Sequence, residues 1–331
     1  MEQTSTSGTL LRSIDDYLQL CKPKIVAMMG LTAVVGMYLA LPGGFQAAAF
    51  DWAWPLSLIG IILCASCAAV LNHLLEAERD ALMKRTRSRP VATGRITTVQ
   101  ASIWALSLGL SGTLLLLIYA NVLTAVLTLT ALVGYAAVYT LWLKPATPYN
   151  IVIGGLPGAL PPLLGWTAIT GQLDAPALLL AALIFVWTPA HFWALALNRI
   201  EEYRKSDYPM LPVTHGESYT RLQILLYSLL TLSISLLLYS TTTTGLFYLI
   251  SAVILSWTFV VMCFSLLVNP TKEQALAVFN YSNLYLLLIF SALILDRGIA
   301  GQGVWPHPEQ ESFLLESIFP DSEPVSSPVQ R

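Results

Sequence analysis

The chain has 331 residues, 56% of them hydrophobic and 11% charged, with a mean hydropathy of +0.67. Water-soluble domains carry about 45–50% apolar and about 25% charged residues, so an ordinary soluble globule is excluded and the composition is that of a polytopic membrane protein. A net charge of −2 gives no basic excess, which argues against nucleic acid as a partner.

A membrane-spanning helix needs about 20 apolar residues. Apolar runs between charged breaks predict nine spans, at 25–41, 55–73, 98–118, 122–142, 150–169, 176–197, 222–240, 246–267 and 278–295. The first has Asp15 and Asp16 before it and no cleavage site behind it, so it reads neither as a signal peptide nor as an Arg-rich transit peptide. With nine spans, every Lys and Arg except Arg297 and Arg331 falls on one side, which the positive-inside rule assigns to the cytoplasm. The expected organisation is a cytoplasmic N-terminal segment (1–24), a nine-helix membrane domain (25–295) and a Pro- and acid-rich disordered tail (296–331) on the other side. Cys64 and Cys67 form a CxxC inside span two; with no second cysteine pair they read as packing residues, not as a zinc site or disulfide framework.

Off the cytoplasmic end of span two, Asn72, Glu76 and Asp80 recur at i, i+4 and i+8. On a helix they keep within an arc of roughly 80° and face one pocket, whereas Glu78 points away. Oxygen donors of this kind suit magnesium, which is commonly shared between carboxylates and substrate phosphates. A solvated charged loop is the competing reading, set against the expense of three such groups at membrane depth. Arg85 and Arg89 follow, again four apart; guanidinium forks match phosphate or carboxylate, but topological anchoring produces basic residues here too.

A second acidic stretch, Glu201-Glu202, follows span six on the same side. Its place in a possible four-helix repeat suggests two halves closing a central site, where two carboxylate clusters could hold magnesium on a diphosphate and improve it as a leaving group. The substrate's other end must then lie among apolar helices, which suits a polyisoprenyl chain and would shield an allylic cation from water. Span five is dense in glycine and proline (Gly154, Gly155, Pro157, Gly158, Pro161, Pro162, Gly165), either for close packing or as irregular backbone lining a cavity. His191 in span six follows Pro189 and is open between a packing residue, a haem ligand and a proton carrier.

Three stretches carry a resemblance: Asp80-Ala-Leu-Met-Lys-Arg-Thr-Arg-Ser-Arg89-Pro90; Asn150 to Gly155 and on through Pro161 to Trp166; and Trp187-Thr-Pro-Ala-His191-Phe-Trp193 with Tyr208-Pro-Met-Leu-Pro-Val213. With Lys22-Pro23-Lys24 at the entrance to span one, the chain from Lys22 to Leu295 resembles the UbiA-type intramembrane prenyltransferases, and within them the haem-modifying branch. The resemblance implies an all-α fold of nine helices around a prenyltransferase cavity, and transfer of farnesyl from farnesyl diphosphate to a vinyl group of haem B with addition of water, giving haem O for haem-copper oxidases. It further implies magnesium as cofactor, haem B as substrate and a bacterial cytoplasmic membrane as location, and it leaves open an association with a haem A synthase or a terminal oxidase assembly. By resemblance Asn72, Glu76, Asp80 and Glu202 are catalytic, the three acids among them as metal ligands. Arg85, Arg89 and Lys144 fall on the diphosphate, with haem propionates the alternative for the two arginines, and His191 on the haem. Glu76 and Glu202 stand where Asp is commoner in this family, a change that keeps the charge; Ala190 for a second proline, Pro145 for a basic residue and Ser206-Asp207 for Ala-Gly are further departures.

Overall fold

The computed structural model describes residues 14–41, 52–82, 86–204, 209–241 and 244–299. Among them are nine helices long and apolar enough to cross a membrane: α1 (Pro23–Ala40), α2 (Ala53–Leu75), α3 (Thr98–Tyr119), α4 (Val122–Leu143), α5 (Asn150–Thr170), α6 (Ala175–Asn198), α7 (Glu217–Tyr239), α8 (Leu246–Val268) and α9 (Lys272–Ile299). Each coincides with a span expected from hydropathy. The sequence places the starts of α7 and α9 too late, because their first turns carry Glu217, Arg221, Lys272 and Glu273 and lie outside the apolar runs. Helix α9 also continues through Asp296 to Ile299, so the segment expected to begin a tail at 296 is helical at its start; residues 300–331 lie outside the described residues.

Local chemistry sets several ends. Thr97 and Gln100 form a reciprocal capping box at the start of α3, Asn121 caps α4 by accepting from the Thr124 amide, and Gly171 ends α5 in the left-handed conformation at φ 68°. Two of the nine helices are irregular. The second half of α4, Gly134–Leu143, is wound as a π-helix, and α5 is broken into Asn150–Gly154, Leu156–Ala159 and Pro161–Thr170 at its glycines and prolines.

Lipid offers helices no hydrophobic drive to associate, so contact depends on small residues that let backbones approach. At the crossing of α1 and α5, a Cβ on Gly165 would stand 2.0 Å from the Ala33 carbonyl oxygen, and one on Gly36 equally close to that of Pro162. Cys64 and Cys67 fill notches opposite Gly112 and Gly109 of α3, which is the packing role expected of the CxxC. Helix α1 packs against α2, α5 and α9, while α6 packs against α5, α7 and α9. First and last helices therefore meet and close the bundle. Buried Ser235, Ser256 and Tyr285 hydrogen-bond across α7, α8 and α9. At the end of the bundle opposite Asn72, the buried Asp296 accepts from the backbone N–H groups of Gly245 and Tyr248 at the start of α8. Its neighbour Arg297 donates to the carbonyls of Leu39 and Leu41 at the end of α1.

Candidate active site

Asn72 lies in the last turn of α2. Glu76 follows as the cap residue, and a short helix, Ala77–Leu82, carries Asp80. The backbone bends at Glu76 (φ −104°, ψ 3°), yet the Glu76 amide still donates to Asn72 O and the Asp80 amide to Glu76 O. The four-residue register therefore survives the bend. Asn72, Glu76 and Asp80 are all buried, at 3%, 5% and 4% exposure, while Glu78 is exposed.

Buried carboxylates need partners, and two cations supply them, with a third on Asn72. Lys144, at the end of the π-helical stretch, pairs with Glu76 Oε1. Arg89 Nη1 lies 2.6 Å from Asp80 Oδ2 and 3.9 Å from Glu76 Oε2. It is brought back by the loop after the short helix, where Thr86 Oγ1 donates to the Asp80 carbonyl and the Arg89 amide to the Thr86 carbonyl. Arg95 pins this loop by donating to Asp16 and to the Ser88 carbonyl. The third cation, Lys22, donates to Asn72 Oδ1, and Asn72 Nδ2 in turn donates to Thr140 Oγ1 at 3.3 Å. Lys22 is the only non-glycine residue among those described with a positive φ, 49°. That costly conformation directly precedes Pro23 and is held by the surrounding structure. Burial, reinforced by Arg89 and opposed by Glu76, pushes the Lys22 ammonium down to about 8.

Lys22 also lines a cavity of about 140 Å³ whose other walls are mostly apolar: Val26 and Met29 of α1, Ala68 of α2, Leu132 of α4, Pro157 and Leu164 of α5, with Thr128 and Tyr135 of α4 the polar exceptions. The irregular backbone of α5 lines it through Pro157, Gly158 and Pro161. An ionic cluster thus adjoins an apolar slot at a single lysine.

The remaining expected residues stand apart. Arg85 lies outside the described residues. Glu202 is exposed on the short helix Ile200–Arg204, and among the described residues no three His, Cys, Asp or Glu side chains come together as a metal set. The two buried carboxylates with Asn72 nonetheless form a hard oxygen donor set, which fits magnesium when substrate oxygens complete the shell. His191 is stacked between Trp187 (centroids 4.3 Å) and Phe279 (4.6 Å) in the α6–α9 half. Ser282 donates its hydroxyl hydrogen to the Phe279 carbonyl at 2.7 Å, so its oxygen accepts from His191 Nδ1, also at 2.7 Å. Nε2 is left with the ring's lone pair. Sequence reasoning missed Lys22 and Thr140 as site members; the signal for Lys22 was a lysine set directly against Pro23 at the mouth of an apolar span.

The UbiA prenyltransferase family pattern matches residues 29–287. The chain belongs to the UbiA prenyltransferase family. It is 48% identical over 296 residues to the protoheme IX farnesyltransferase of Saccharophagus degradans, covering 89% of this chain and 96% of that one. It is 52% identical over 285 residues to that of Marinobacter nauticus, covering 85% and 92%. Among solved structures, a digeranylgeranylglyceryl phosphate synthase superposes with a TM-score of 0.73 at 20% identity, over 86% of this chain and 99% of that one. A UbiA homolog from Archaeoglobus fulgidus bound to GPP and Mg2+ gives 0.55 at 16% identity, over 84% and 99%. The nine-helix fold is therefore the UbiA fold, and it places the ionic cluster of this UbiA member beside an apolar slot.

Proposed function

We propose that the chain transfers the farnesyl group of farnesyl diphosphate to a vinyl group of haem B, with addition of water, to give haem O and diphosphate. The observation that carries the reading is Lys22, which belongs at once to the ionic cluster and to the apolar cavity; that geometry matches a ligand with a charged head and a hydrocarbon tail. The acceptor is supported by relatives at about half identity over nearly their whole length that carry the name protoheme IX farnesyltransferase.

In this reading Lys22, Arg89 and Lys144 orient the diphosphate, and Glu76 and Asp80 hold magnesium with Asn72 beside them. Magnesium there would neutralise the diphosphate and improve it as a leaving group. The apolar walls exclude water while the allylic carbon is cationic. The vinyl group attacks that carbon, and water then captures the new cation next to the macrocycle and releases a proton. Arg89 is assigned to the diphosphate because it lies in the same cluster as Glu76 and Asp80, with a haem propionate the alternative. His191 is assigned to the haem side through Nε2, and Glu202 to a carboxylate brought in from the α6 side. The chain would lie in the bacterial cytoplasmic membrane, N-terminus inside.

Reconstituted protein given haem B, farnesyl diphosphate and magnesium tests this by mass spectrometry of the extracted pigment. A haem heavier by farnesyl plus water is expected. Glu76→Gln should lower the rate by about 10²–10³-fold, a chelator should abolish it, and Glu202→Gln should impair it; an unchanged rate in Glu202→Gln would remove that carboxylate from the site. Haem B recovered unchanged from folded protein would remove the acceptor assignment.

A further inference from the structure

Each cation of the site is engaged by the site's own acceptors: Lys144 by Glu76, Arg89 by Asp80 and more distantly by Glu76, and Lys22 by Asn72. A buried carboxylate already neutralised by an ammonium or guanidinium is a poor ligand for a second cation. A buried cation already held by a carboxylate is a poor receptor for an anion. At Lys144–Glu76 and Arg89–Asp80 the group that would take magnesium and the group that would take diphosphate are thus the two halves of one ion pair, and Lys22 is held by the neutral Asn72 amide between them and the cavity.

We propose that the site takes magnesium and diphosphate by exchange of partners, so that each ligand must release what the other needs. Lys144, Arg89 and Lys22 turn from their carboxylates and amide to the diphosphate oxygens, while Glu76 and Asp80 turn to the metal. The inference rests on the function proposed above and adds to it a coupling between the two ligands. The fold supports such a movement at Lys144 and Arg89. Lys144 sits at the end of the π-helical stretch of α4, an element common at functional sites. Arg89 is carried on a hydrogen-bonded turn and not on a spanning helix.

Thermodynamic reciprocity gives the test. Binding of magnesium alone, of inorganic diphosphate alone, and of each in the presence of the other is measured by calorimetry on the full chain in lipid discs, with the complex the two form in free solution subtracted. Each is expected to raise the affinity for the other by one shared factor of about tenfold or more. In Lys144→Gln, magnesium alone should bind more tightly and diphosphate more weakly, and the shared factor should fall; Lys144→Arg, which keeps the pair, should restore it. A factor of one in the unaltered protein, or a factor that Lys144→Gln leaves unchanged, would overturn partner exchange while leaving the site itself in place. If neither probe bound to folded protein, the functional reading would fall with it.

Discussion

Lys22 binds the residue-scale chemistry together, and its ionisation is measurable. With the ammonium pushed down to about 8 by burial, kcat/KM for farnesyl diphosphate is expected to hold below that pH and to fall as pH rises through it, since kcat/KM reports the free enzyme. Lys22→Arg, which stays charged, should carry that alkaline limb out of range; an unchanged limb would acquit Lys22. Stability moves the other way. Between about 8 and the ordinary lysine value of 10.5 the unfolded chain binds the proton that the folded chain has lost, so the cost of burying this charge is relieved as pH rises. Asn72, Glu76 and Asp80 were legible in the sequence because helical periodicity alone sets one face, and the i to i+4 bonds persist through the bend at Glu76. Thr140 was not, because its approach to Asn72 depends on the winding of a different helix. Nor could sequence place Arg89 against Asp80, a contact that depends on how the loop after the short helix folds back.

At the scale of elements, hydropathy located all nine spans among the described residues, and the two irregular helices are where it fell short. The breaks in α5 follow from visible glycines and prolines. The π-helix over Gly134–Leu143 has no such marker; its neighbour Gly154 admits the Tyr139 ring, which a Cβ there would meet at 1.9 Å. Backbone contact between α1 and α5 makes a sharp prediction. Gly165→Val would thrust a branched side chain into the Ala33 carbonyl, and a loss of about 1–3 kcal/mol or more is expected from such overpacking, read as a lower unfolding temperature in detergent. Gly298→Ala, with nothing within 4 Å of its added carbon, is the matched control and should be close to neutral.

For the whole molecule, the asymmetry of Lys and Arg predicts a topology that labelling can check. In a background with Cys21 replaced by serine, Gln172→Cys should react with an impermeant maleimide on intact cells and Ser88→Cys only after lysis; both positions are exposed, and Cys64, Cys67 and Cys263 are buried. The reverse pattern would invert the chain. Arg297, one of the two basic residues that this topology puts on the far side, has its guanidinium occupied by the carbonyls at the end of α1. This contact has a meaning in time. During synthesis α1 emerges first and α9 last, and until Asp296 and Arg297 arrive the terminal carbonyls of α1 and the leading amides of α8 lack these partners where water is scarce. A chain cut short before residue 296 would leave the carbonyls of Leu39 and Leu41 and the amides of Gly245 and Tyr248 without these partners, a defect that reaches back to the first helix made.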